Sequence, residues 1–123
     1  MKLYVAGPMR GKPDHGFPDF FRAKRQLERM GKVVVLPIED GDLDAFDDPT
    51  KPYSSYMKRD IRLLSDCDGI ALLPGWRQSV GATFEARSAL EFDLNGFELV
   101  RVGPSEEDVA LREIDLEFLR GAV

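Results

Sequence analysis

"YSSYMKRDIRLLSDCD" occupies residues 53–68 and "GIALLPG" residues 69–75, and the junction between them decides the fold. In the first stretch Tyr53, Met57, Ile61 and Leu64 recur at helical spacing; the second is an unbroken apolar run stopped by Pro74-Gly75. A stripe of period 3.6 has one face to bury, whereas a short continuous apolar run suits a strand covered on both faces. The pair therefore reads as a helix feeding a buried strand.

The same alternation extends in both directions. "KLYVAG" (2–7) is a short strand ended by Gly7-Pro8, and "GPMRGKPDHGFP" (7–18) is a long loop with three glycines and three prolines. "PDFFRAKRQLERMG" (18–31) is a helix with a Phe20, Ala23, Leu27, Met30 stripe and Gly31 as its C-terminal cap. "KVVVLP" (32–37) is a second strand, expected to be covered on both faces, and 38–52 is an acidic loop. "ATFEARSALEFDLNG" (82–96) is a helix closed by Asn95-Gly96, and "FELVRVG" (97–103) a fourth strand. "SEEDVALREIDLEFLRG" (105–121) reads as a last helix with Ser105 as N-cap. Strands alternating with helices predict one α/β domain over residues 1–123, with helices on both faces of a parallel sheet of about four or five strands.

Bulk composition narrows the function. Hydrophobic residues at 43% and charged residues at 32% are ordinary for a soluble globular chain of 123 residues. Seventeen Lys and Arg against 22 Asp and Glu leave a net charge of −5, which argues against a nucleic-acid polymer as partner. A small phosphorylated ligand needs only a few local donors. Cys67 is the one cysteine, so no internal disulfide or multi-cysteine metal site can form, and a reducing compartment is the simplest expectation. No signal peptide or membrane-length apolar run is visible, so the expected location is cytoplasmic.

In a parallel sheet the ligand crevice lies beyond the carboxyl ends of the strands. "GPMRG", "PIEDG" and "PGWRQSVGA" fall there. Glu85 follows in "SVGATFEA" (79–86), among small and apolar residues, and is expected in the first turn of its helix. A carboxylate there either favours the helix dipole or, partly desolvated, serves the crevice. No capping box explains it, because the position three before it is Ala82. Asp60, at the boundary of the Met57, Ile61, Leu64 stripe, is either a solvated or ion-paired helix residue beside Lys58 and Arg59, or a second carboxylate of the crevice. Two carboxylates suit cleavage of a glycosidic bond, in which one meets an oxocarbenium-like carbon while another group protonates the leaving atom or orients the sugar. Tyr4 could hydrogen-bond Glu85, or be a core aromatic with its hydroxyl satisfied.

Ser79 and the amides around Gly81 precede a helix N-terminus, which favours anions, and Arg10 with Gly7, Pro8 and Met9 in the first loop adds a charged donor. No Walker A or dinucleotide fingerprint is present. Together these elements fit a monophosphate. Trp76 is either a lid stacking on a base or an edge-of-core aromatic. Asp40, Asp42 and Asp44 start like a calcium loop, but Ala45 stands where glycine is needed, so a solvated acidic loop is expected. His15 reads as a turn residue.

"YVAGPMRG" (4–11), "DIRLLSDCDGIALLPGW" (60–76) and "SVGATFEARSA" (79–89) resemble the small phage and bacterial domain related to nucleoside 2-deoxyribosyltransferases and 2'-deoxynucleoside 5'-phosphate N-hydrolases. The resemblance covers about residues 1–103. It implies a flavodoxin-like (Rossmann-like) three-layer sandwich, usually a homo-oligomer, acting on a nucleotide or nucleoside without metal or other cofactor. It implies Glu85 as the catalytic glutamate, Asp60 as the second catalytic carboxylate and Tyr4 as the tyrosine orienting the nucleophile. Six positions before the glutamate the transferases have an aspartate that reads a free 5'-hydroxyl, whereas the nucleotide hydrolases have serine. Ser79 stands there in this chain, which tilts the expected substrate toward a 5'-monophosphate. Those transferases often complete the pocket with a partner residue near the C-terminus, and no counterpart is identifiable in "SEEDVALREIDLEFLRGAV". A non-catalytic nucleotide-binding module on the same fold is the alternative reading.

Overall fold

The computed structural model describes residues 1–38 and 53–120, with the side chain of Tyr53 outside that set. The acidic stretch from residue 39 onward, with Asp40, Asp42 and Asp44, lies outside the described residues.

Among the described residues five strands form one sheet. They are β1 (Lys2–Ala6), β2 (Val33–Val35), β3 (Gly69–Leu72), β4 (Asn95–Arg101) and β5 (Val109–Ile114), in the order β2-β1-β3-β4-β5. The first four are mutually parallel, with Tyr4 opposite Val35 on one side and Ile70 on the other. Among the described residues three α-helices flank them: α1 (Phe17–Arg29), α2 (Tyr53–Ser65) and α3 (Val80–Glu91). This is the flavodoxin-like α/β arrangement, completed by an antiparallel edge strand.

The pleat assigns the two faces. Leu3, Val5, Ala71 and Leu73 pack with Phe20, Ala23 and Leu27 of α1, while Tyr4, Ala6, Ile70 and Leu72 pack with Leu64 of α2 and Ala82, Ala86 and Ala89 of α3. Successive strand residues point to opposite faces. Tyr4 therefore shares a layer with both helices that carry the candidate carboxylates. Helix α1 ends as its glycine predicts: the Gly31 amide donates to Glu28 and the Lys32 amide to Leu27, with Gly31 at φ +81°. That is the Schellman pattern, which uses up two of the carbonyls a helix end leaves open.

Four expectations need correcting. The last helix is not formed: residues 109–114 are a strand antiparallel to β4, and Leu116–Leu119 is a short 3-10 turn. Alternation explains the strand, because Val109 and Leu111 pack toward the α1 layer while Ile114 packs toward the other. The open edge of β4 offers a full ladder of hydrogen bonds, which outweighs the helix propensity of Ala, Leu, Arg and Glu. Helix α3 closes at Glu91 with Phe92 as C-cap, and Asn95-Gly96 opens β4 instead of capping the helix. Gly96 is needed there for contact, since a Cβ on it would lie 2.7 Å from Leu116 Cγ. Strand β2 is a sheet edge with Val33 exposed, not a strand covered on both faces. Glu85, finally, lies in the second turn of its helix, which begins at Val80.

Candidate active site

The carboxyl ends of β1 and β3 and the start of α3 enclose a cleft of about 560 Å³. Backbone geometry shapes its mouth. Gly7, directly after β1, has no room for a side chain: a Cβ would lie 2.8 Å from Leu73 Cβ. Gly75 turns the chain at φ +85°, a left-handed conformation that favours glycine, and leads into the 3-10 turn Trp76–Gln78.

Ser79 is the N-cap of α3. Its Oγ accepts from the Ala82 amide at 3.2 Å, and its carbonyl accepts from the Thr83 amide at 2.9 Å. The hydroxyl proton remains for a ligand. The Val80 and Gly81 amides precede the first intrahelical bonds, so this end of α3 combines N–H donors with the positive end of the dipole. Ser79, Val80 and Gly81 all line the cleft, and so do Gly7, Pro8, Met9 and Arg10 from the other wall.

Glu85 lies on the cleft floor and is only 6% exposed. Helix α3 presents Ala82, Ala86 and Ala89 to the sheet, and these small residues let the helix approach β1 and β3 closely. The Tyr4 hydroxyl donates to Glu85 Oε2. Burial pushes the Glu85 carboxyl up to about 8; the Tyr4 bond pulls the other way, and the Asp60 charge adds to the rise. Burial also drives the Tyr4 phenol far above its ordinary range, helped by the negative charges of Glu85 and Asp60. Tyr4 is thus a permanent donor.

Asp60 lines the same cleft and is 8% exposed. Arg59, also on the cleft, donates from Nε to Asp60 Oδ1 at 3.3 Å and from its terminal nitrogen to the Pro37 carbonyl at 2.8 Å. Its guanidinium lies 5.4 Å from the Tyr56 ring centroid. The sequence offers Arg59 only as a possible ion-pair partner of Asp60, and its adjacency to that carboxylate is the one sequence signal of its place in the cleft.

Tyr4, Asp60 and Glu85 are therefore brought together, and Ser79, Gly81 and the Gly7–Arg10 loop stand at the same cleft. Trp76 is not. It is 3% exposed in the core layer of α3, with Nε1 donating to Glu98 Oε2 at 2.9 Å. The lid reading of Trp76 gives way to the core reading, since burying the indole while satisfying its N–H fixes it in place. Its carbonyl accepts from the Ser79 amide and from Thr83 Oγ1, so it holds the turn that ends in Ser79. His15 sits in the Pro13–Gly16 turn, 6.1 Å from the Phe17 ring, and does not line the cleft. Among the described residues no group of His, Cys, Asp and Glu has a metal-binding arrangement, and no helix is long and apolar enough to cross a membrane.

The profile of the family described as "Domain of unknown function (DUF4406)" matches residues 1–95, a span that includes Tyr4, Asp60, Ser79 and Glu85 and stops before β5. No curated protein matches the chain. Among solved structures the chain resembles a 2-desoxiribosyltransferase from Leishmania mexicana, with a TM-score of 0.56 and 17% identity over 89% of this chain and 77% of that one. At that identity the likeness concerns the fold.

Proposed function

The chain belongs to the DUF4406 family, whose description names no chemistry, and from the cleft we propose that it cleaves the N-glycosidic bond of a (deoxy)nucleoside 5'-monophosphate, with Glu85 as nucleophile. The observation that carries this reading is that Asp60 and Glu85, both buried, line one cleft while the fully buried Tyr4 donates to Glu85. A site that only binds has no need of two buried carboxyls and a buried phenol aimed at one of them.

Tyr4 holds Oε2, which leaves Oε1 as the reacting oxygen. As substrate binds, Glu85 passes its proton to Asp60 and, ionised, forms a bond from Oε1 to C1' while the bond from C1' to the base nitrogen breaks; the base leaves with its electron pair and takes that proton from Asp60. Water or a second base then attacks C1' while giving a proton to Asp60, the glycosyl ester breaks, and the Glu85 carboxylate returns. The phosphate lies at the Ser79 end of α3, with Arg10 on the facing wall. The likeness to a deoxyribosyltransferase fold agrees with this reading.

One observation favours a second reading. A Glu85 that ionises only at about 8 is a hydrogen-bond donor near neutral pH, which suits capture of a nucleotide without turnover. A panel of nucleosides and nucleoside monophosphates, followed by chromatography for free base, separates the two. Release by the native protein and none by Glu85→Ala supports the enzyme. Tight binding without release by the native protein, weakened in Glu85→Ala, leaves the binding module.

A further inference from the structure

Asp60 is held by its own neighbour, and that geometry is unusual. Residues i and i+1 of a helix project about 100° apart and do not face each other. Arg59 nevertheless reaches Asp60 Oδ1, because its guanidinium is drawn inward by the Pro37 carbonyl two residues beyond β2 and lies near the Tyr56 ring. A carboxylate only 8% exposed thereby acquires a cationic partner only 22% exposed at its side chain.

We propose that Arg59 is a positioning residue: gripping Asp60 and the Pro37 carbonyl together, it fixes the Asp60 carboxylate beside Glu85 and makes Glu85 the member of the pair that holds the proton in the free protein. This rests on the glycosidase reading for its purpose. The pair then carries the one proton that a departing base requires, while the nucleophile is uncharged, and so tolerant of burial, until substrate arrives. Among the described residues the groups facing the pair are Tyr4 from β1, Arg59 from α2 and, on the rim, Arg10 from the loop after β1. The direction agrees with the Asp60 charge acting to raise Glu85. Lysine cannot replace this grip, because one ammonium does not span two acceptors as a planar guanidinium does.

The test is a carboxyl-carbon NMR titration of protein labelled at Asp and Glu side chains, in the native chain, Arg59→Met, Arg59→Lys and Lys58→Met. Met keeps the apolar stem without the charge, and Lys58→Met removes the same formal charge from the exposed neighbouring position. Thermal unfolding of each variant confirms that it is folded. Removing an adjacent opposite charge should move the Asp60 step up by about one pH unit or more, with a smaller shift in Arg59→Lys and none in Lys58→Met. A folded Arg59→Met in which Asp60 titrates within about 0.2 unit of the native chain overturns the proposal, as does an equal shift in Lys58→Met. The titration needs no turnover. Shifted carboxyls without base release from any nucleotide therefore sink the glycosidase reading and leave the role of Arg59 standing.

Discussion

The Tyr4 hydroxyl, on the first strand, donates to Oε2 of Glu85, 81 residues further along the chain. Both side chains are buried, and the bond joins an interior strand of the sheet to the helix that packs on it. Removing either partner should thus affect chemistry and packing in ways that can be told apart.

Glu85→Gln keeps the shape and still accepts from Tyr4, but cannot attack carbon. Base release should fall by roughly 10³-fold or more with folding intact. Retention of more than about a tenth of native release would remove Glu85 from the role of nucleophile.

The same variant reports on stability. A carboxyl that ionises at about 8 in the native chain, against an ordinary 4.5, binds its proton more tightly when folded. As pH climbs between those values the unfolded state deprotonates first, so native stability is lost, by an upper figure of about 5 kcal/mol. Thermal unfolding across this range should show Glu85→Gln gaining steadily on the native chain. A constant difference between the two would place native Glu85 near its unfolded ionisation.

Tyr4→Phe removes one oxygen from a fully buried ring. The bond it deletes lowers the Glu85 ionisation, so the acidic limb of the pH–rate profile should move upward, and Glu85 loses a buried donor at a cost of about 1–3 kcal/mol. An unmoved limb would mean the phenol is only a packing group.

Ser79 has two duties that substitution can separate. Ser79→Ala loses the cap, about 1 kcal/mol, together with the hydroxyl at the cleft. Ser79→Asp retains a good cap and a favourable dipole contact but places negative charge where the phosphate would lie. Binding of a monophosphate, measured by calorimetry, should weaken at least about tenfold in Ser79→Asp while Tm holds. Equal affinity in both proteins would locate the phosphate elsewhere.

Trp76→Ala should destabilise the fold by about 3–5 kcal/mol, the cost of emptying a core site. A mobile lid would leave Tm unchanged.

Sequence pattern carried β1, β2 and β3 because each is a short apolar run close to turn residues, and burial on both faces of β1 and β3 requires such runs. It failed at residues 105–121, where the deciding factor was a vacant sheet edge rather than local propensity. The site was legible as residue types at the strand ends, yet the start of α3 was misplaced. Seeking a cap three positions before Glu85 lands on Ala82, whereas Ser79 caps the Ala82 amide itself. Arg59 stayed hidden because its orientation depends on Pro37, a partner 22 residues away.

The alanines of α3 bear on how such a site can change. Ala82, Ala86 and Ala89 act as a spacer of fixed thickness between helix and sheet, and the reach from phenol to carboxyl is set by that thickness. A single added methyl group there would lift the polar pair apart without touching a polar atom. The tolerance of this protein to drift is therefore narrowest on its driest surface, and the wet rim of the cleft is where new specificities have room to arise.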